Sequence, residues 1–332
     1  MTRGVAVVTG GSAGVGRSAV QELAARGWDV AVLARGRAGV EAAVTDVEKR
    51  GQRGLAVLCD VADGRAVDEA AERVERELGP IKLWVNVAFS GALRYFWDTE
   101  EESYRRMTEV TYLGQVHGVR SALKRMRPRD EGVIINVGSA LAFRGIPLQA
   151  AYCGAKHAVK GFTESVITEL KSEGSKIRVC MVQLPGMNTV QFDWNDNQFD
   201  GKHPQPVAPI FQPETAGRAI AFLAEHPRRN MWVGASTAYT ILGNRVAPWF
   251  LDWYLGKTGV SGQLTNAKGP RFGSNVFEPK DDEADRGSHG MFDDKAHATD
   301  PWSWTSMHRV PAAAAAAGLA AAVSLLVGAR RR

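Results

Sequence analysis

The feature that most constrains this chain is a rhythm. Short apolar runs, Val5–Thr9, Val30–Ala34, Leu55–Cys59, Ile81–Val87, Val133–Val137 and Ile177–Val182, are separated by helical patterns. The first helical pattern follows a glycine cluster and ends at Gly27, and the next two end near Arg50 and Leu78. A long one runs from about Glu100 to Met126 and another from about Ala150 to Ser172. Strands that read as unbroken apolar runs are buried on both faces, and the intervening helices are the crossovers that cover them. Such crossovers are right-handed, so the pattern predicts an α/β architecture with a doubly wound parallel sheet of about seven strands. After Leu184 the rhythm weakens. Residues 190–212 read as a loop or lid, Pro213 to Glu225 as a helix with proline in its first turn, and Met231–Val233 as a last strand. Residues 257–309 are poor in aliphatics and rich in Gly, Pro, Asp and Trp. They read as an irregular extension that wraps the surface or is partly disordered. The expected organisation is a main domain over 1–256, the extension over 257–309 and an Ala-rich helical tail over 310–332.

Composition narrows the classes further. With 332 residues, 45% hydrophobic and 23% charged, the chain is neither disordered, collagen-like nor disulfide-rich. The net charge is +5, but three of those charges are Arg330, Arg331 and Arg332, so the balance gives no reason to expect a nucleic-acid partner. Cys59, Cys153 and Cys180 lack metal-type spacing and fit buried thiols in a reducing compartment, with no metal expected. No charged region followed by a long apolar one opens the chain, so a cytoplasmic location is expected. The tail adds a conflicting note. Pro311 to Ala329 is 19 residues without a charge, ten of them alanine. As a helix that stretch spans about 28 Å, near the thickness of a bilayer core, but with few strongly apolar residues. It reads as a weak anchor, as a surface-lying helix with its arginines on anionic lipid, or as a helix packed on protein.

The chemistry concentrates at the strand ends. Val5–Thr9 runs into Thr9-Gly10-Gly11-Ser12-Ala13-Gly14-Val15-Gly16, and a helix begins there. Glycines at such a turn let the backbone approach a pyrophosphate, and the helix N-terminus presents free amides to it. The second strand ends in Ala34-Arg35 where a chain that binds NAD carries an acid for the ribose 2′-OH. A guanidinium suits a 2′-phosphate instead, so NADP(H) is the expected cofactor, ahead of NAD(H). Tyr152 and Lys156 are four residues apart on one helix face, and Ser139 follows the fifth apolar run. A neighbouring ammonium lowers a phenol's pKa, and the carboxyl ends of parallel strands are where such sheets keep their chemistry.

These residues resemble the short-chain dehydrogenases/reductases, specifically the branch with a Thr-Gly-x-x-x-Gly-x-Gly loop and a Ser…Tyr-x-x-x-Lys site. The resemblance covers roughly residues 4–235 and implies a Rossmann-like fold. It assigns Thr9, Gly10, Ser12, Gly14, Val15 and Gly16 to the cofactor loop, Asp60-Val61 to adenine, Asn86 and Ala88 to the cofactor's flank, and Pro185, Gly186 and Thr189 to the nicotinamide. Ser139, Tyr152 and Lys156 fall on catalytic positions, with Tyr152 and Lys156 also binding cofactor. Two positions depart from the pattern. Phe89 replaces a glycine beside the cofactor, and the fourth catalytic position, usually Asn, is Thr111. The implied activity is carbonyl–alcohol interconversion in a homo-oligomer, with Tyr152 as general acid/base.

The pocket segments carry Phe89, Tyr95, Phe96, Trp97, Phe143, Phe192, Trp194 and Phe199, which either line a cleft for an apolar or ring-containing ketone or alcohol or, several of them, pack under a lid. Arg94 and Arg144 are cations of the right kind for a substrate carboxylate, but surface arginines are common and neither is assigned that role. Two rival readings use the same fold differently, as a catalytically idle NADP(H) sensor or as a membrane-tethered scaffold.

Overall fold

The computed structural model describes residues 2–309. β1 (Gly4–Thr9), α1 (Gly14–Ala25), β2 (Trp28–Ala34), α2 (Arg37–Glu48), β3 (Gly54–Leu58), α3 (Gly64–Glu77) and β4 (Ile81–Asn86) form the first half. α4 (Glu101–Thr108) continues through a wide π turn at Glu109–Leu113 into α5 (Gly114–Met126). Then come β5 (Val133–Ser139), α6 (Ala150–Ser172), β6 (Arg178–Leu184), α7 (Pro213–Glu225) and β7 (Asn230–Trp232). The seven strands pair in the order β7-β6-β5-β4-β1-β2-β3, every neighbour parallel. The chain reverses its winding between β1 and β4, which opens a crevice at the carboxyl ends of those strands.

Strand alternation divides the core in two. Ala6, Val8, Val30, Val32, Leu83 and Ile135 face α1, α2 and α7, while Val5, Val7, Ala31, Leu33, Trp84 and Ile134 face α3, α5 and α6. Successive residues of one strand therefore feed opposite layers, as the pleat requires. A polar thread crosses the second layer. Trp84 Nε1 donates to Asn86 Oδ1 at 2.8 Å, Asn86 Nδ2 to Asn136 Oδ1 at 2.8 Å, and Asn136 Nδ2 to Thr163 Oγ1 at 2.9 Å. All four side chains are buried, so each bond spares a desolvated group.

Beyond β7 the chain forms α8 (Ala235–Val246) and α9 (Pro248–Thr258) before the extension. Trp249, Phe250, Trp253 and Tyr254 leave an aromatic stripe exposed along α9, beside the exposed Val246 that ends α8. Parts of the extension pack against the main domain. Val276 and Phe292 are 1% exposed, and the two-residue strand Ala296–His297 pairs with Ile210–Phe211. The last described helix is α10 (Pro301–Met307). No helix among the described residues is long and apolar enough to cross a membrane. The tail over 310–332 lies outside them.

Candidate active site

The glycine turn is folded back on itself. Gly10 has φ +67°, and a Cβ there would overlap the backbone of Ala88; a Cβ on Gly16 would overlap the Gly10 carbonyl. The Thr9 hydroxyl accepts from the amides of Val87 and Ala88 at 3.2 and 3.4 Å, tying this turn to the end of β4. The turn forms one end of a cavity of about 1120 Å³. Gly10, Ser12, Gly14, Val15, Gly16, Arg35, Asp60, Val61 and Ala88 line that end, and Ser139, Tyr152, Lys156, Pro185, Gly186 and Thr189 line the other.

Ser139 is the last residue of β5, and Tyr152 and Lys156 stand in the first turns of α6. Lys156 is 1% exposed, and its Nζ donates to the Val137 carbonyl at 2.7 Å. That nitrogen stands 5.6 Å from the Tyr152 ring centroid and 6.0 Å from that of Phe89. Phe89 meets Tyr152 edge-on, 5.7 Å between centroids. The bulky residue in the glycine position thus packs on the phenol. Burial pushes the Lys156 ammonium down to about 7 and the Tyr152 phenol up, while the Ser139 hydroxyl, hydrogen-bonded to that phenol, pulls it back. The set can pass a proton to a group held between Ser139 and Tyr152.

Three expected site residues serve the frame. Asn86 turns its amide into the polar thread rather than the cavity, because Trp84 and Asn136 need a partner in the core. Thr9 acts through its bonds to the loop after β4. Thr111 accepts from the Ser90 amide and donates to the Ser90 carbonyl, both at 2.9 Å. Its hydroxyl is committed to holding the loop that carries Phe89. A residue that sequence reasoning missed stands one turn further on. Gln115, 1% exposed, donates Nε2 to the same Val137 carbonyl at 3.1 Å. Its position one turn after Thr111 was the available signal.

At the substrate end, Phe89, Phe192 and Trp194 line the cavity with Leu251, Tyr254 and Leu255 of α9. The other expected aromatics lie elsewhere: Tyr95 stacks on Trp97 and meets Phe199, Phe96 is exposed, and Phe143 lies under Lys160. Arg94 is paired with Asp196 at 2.6 and 2.8 Å, while Arg144 lines the cavity and is paired with Asp252 at 2.5 Å.

The adenosine-facing end carries a further surprise. Residues 275–287 form a strap across it. Arg35 donates to the carbonyls of Asn275 and Phe277 at 2.5 and 2.7 Å, and burial lowers its pKa. Asp60 is ion-paired with Arg106. Nothing in the periodicity of 257–309 signalled this roof.

A parallel doubly wound sheet with Ser, Tyr and Lys gathered at its carboxyl edge, beside a glycine turn, defines a nucleotide-dependent oxidoreductase class. A family model described as short chain dehydrogenase matches residues 4–199, and the chain belongs to that family as an enzyme. It is 29% identical over 288 residues to an uncharacterized oxidoreductase, YxnA, of Bacillus subtilis (strain 168), covering 86% of this chain and 81% of that one. It is 31% identical to the 3-oxoacyl-[acyl-carrier-protein] reductase of Bos taurus, covering 67% and 92%. Among solved structures, a short chain dehydrogenase/reductase from Burkholderia phymatum in complex with NAD superposes with TM-score 0.66 at 20% identity, covering 76% of this chain and 95% of that one. An alcohol dehydrogenase from Thermococcus sibiricus complexed with 5-hydroxy-NADP gives 0.60 at 20% identity, covering 69% and 95%.

Proposed function

We propose that this enzyme interconverts a carbonyl and an alcohol on an apolar small molecule, using NADP(H) ahead of NAD(H), with Tyr152 as general acid/base. The observation that carries the reading is the convergence of Ser139, Tyr152 and Lys156 on one wall of a cavity that begins at the glycine turn. The turn fits a dinucleotide, since its collapsed glycines leave backbone, not side chains, facing the cavity. Gly10 to Gly16 would hold the pyrophosphate, Asp60 and Val61 the adenine, Arg35 a 2′-phosphate, and Pro185 to Thr189 the nicotinamide. Bound there, the dinucleotide supplies or removes a hydride. Solved relatives of this fold carry NAD or 5-hydroxy-NADP, which supports this class of cofactor.

The chain's own residues handle the proton. In the reducing direction Tyr152 donates to the carbonyl oxygen and Ser139 hydrogen-bonds the same oxygen as charge develops. The Lys156 ammonium favours the phenolate that this leaves. In the oxidising direction the phenolate takes the proton back. The apolar wall from Phe89, Phe192, Trp194, Leu251 and Leu255 supports an apolar substrate.

The test is consumption of NADPH and NADH against a panel of hydrophobic ketones. Turnover with an apolar ketone, faster with NADPH, is expected. Dinucleotide binding without turnover across the panel would favour the idle sensor. A homo-oligomeric state belongs to the same reading, and the exposed α9 stripe supplies an apolar surface for it. Contact of the tail with membranes is checked by fractionating the full chain against one ending at Arg309.

A further inference from the structure

The strap does more than roof the cavity. Its backbone carbonyls and the Asp282 carboxylate use the donors that a phosphate on the adenosine ribose would need. Arg35 gives its guanidinium to the carbonyls of Asn275 and Phe277, and at 3.5 Å to Val276. The first amides of α2 are also taken. The Arg37 amide donates to Asp282 Oδ1 at 2.9 Å, Ala38 to the Asp282 carbonyl at 3.1 Å, and Gly39 to the Asp281 carbonyl at 3.0 Å. α2 has no capping side chain of its own at Gly36, so these acceptors from the strap are its N-terminal cap.

Asp281 is the sharper observation. It is 5% exposed, and its carboxylate lies so close to Gly36 and Gly39 that a Cβ on either would overlap it. It also lines the cavity, together with Arg35. The sequence after β2 offers Ala34 and Arg35 and no acid. The fold returns an acid to that place from more than 240 residues away.

We propose that the strap competes with a 2′-phosphate, its 275–277 carbonyls for Arg35 and its Asp281 and Asp282 for the N-terminus of α2, so that it sets the balance between NADP(H) and NAD(H). This rests on the reading above that the cavity takes a nicotinamide dinucleotide. A ribose hydroxyl in this place donates to a carboxylate and leaves the strap seated. A phosphate dianion would meet the Asp281 carboxylate and must displace strap acceptors before it can use the guanidinium. Arg35 thus favours the phosphate by its chemistry, while the strap opposes it by occupying the same donors and adding like charge.

The experiment is titration of wild type, Asp281→Asn, Asp282→Asn and the double variant with NADPH and with NADH, read by nicotinamide fluorescence. Asparagine keeps the size and, at 282, the side-chain oxygen that caps α2, and removes the charge. The double variant is expected to lower the ratio of NADPH to NADH dissociation constants at least tenfold, each single variant moving part of the way. Hydrogen exchange on the wild type gives a second readout that needs no variant. NADPH should raise exchange at residues 275–283 relative to NADH. Dinucleotide binding with an unchanged ratio, or with equal exchange in the two complexes, overturns the competition alone. A wild-type chain that binds neither dinucleotide overturns the reading of the site and the competition with it.

Discussion

The two ends of the cavity are built on different terms. At the catalytic end, the groups that act are presented by consecutive elements of the sheet, with Ser139 ending β5 and Tyr152 and Lys156 opening α6. Their supports are equally local, since the Val137 carbonyl that receives Lys156 belongs to the same strand as Ser139. At the adenosine end, Arg35 and the start of α2 are finished by a segment about 240 residues away. The first end is built on the backbone of the sheet, and the second on bonds to the strap.

The largest effect that would break this contrast is at the catalytic end. Tyr152→Phe should reduce turnover by about 10²–10⁴-fold, the usual worth of a general acid, while dinucleotide affinity stays within a few-fold. Steady-state rates beside binding titrations check this, and a variant keeping more than about a tenth of the rate removes Tyr152 from the role.

Lys156 tests the same end through pH. Its folded-state pKa is about 7 against an ordinary 10.5, so the folded chain binds fewer protons than the unfolded one between those values. Stability should therefore rise as pH climbs from about 7 to about 10.5, with Lys156 contributing on the order of a few kcal/mol across the window. Lys156→Met should flatten that slope and be the more stable chain near pH 7. Urea denaturation of both proteins at several pH values decides it, and matching slopes would refute the buried ammonium.

A smaller effect is expected at the loop between the two ends. Thr111→Val leaves the buried Ser90 amide and carbonyl without their hydroxyl and should cost about 1–3 kcal/mol. It should also slow turnover by freeing Phe89 from the phenol. Thr111→Asn can make both bonds to Ser90 and should recover most of the loss. Equal stability of the valine variant would show that the hydroxyl does not hold the loop.

The smallest effect tests the adenosine end directly. Arg35→Ala removes the three strap bonds and the candidate phosphate partner together. Hydrogen exchange over residues 275–277 should rise several-fold with the sheet unchanged, and NADPH should lose more affinity than NADH. Exchange unaltered by the substitution would mean the strap is held without Arg35.

This difference between the ends also explains what could be read from the chain beforehand. The strands and helices of the sheet announce themselves by local periodicity, and Ala150–Ser172 and Pro213–Glu225 fall where the pattern puts them. The glycine turn and the Ser139, Tyr152 and Lys156 set are legible because each is a local spacing on a local element. Side-chain direction is not. Whether Asn86 faces the cavity or the core depends on Asn136 and Thr163, which a linear reading cannot place beside it. The strap was least legible. It has almost no regular structure, and its meaning lies in backbone carbonyls and two aspartates whose partners are near the other end of the chain.

That separation bears on the order in which the molecule can be completed. The elements from β1 to β4 come first in the chain. α2, however, receives the cap for its opening turn from Asp281 and Asp282, and Gly14 at the head of α1 receives a carbonyl from Gly287 at 3.0 Å. During synthesis both helix ends must stand in water until the last sixth of the chain has emerged and closed a very long loop. The nucleotide cleft is therefore closed only once the strap has been made.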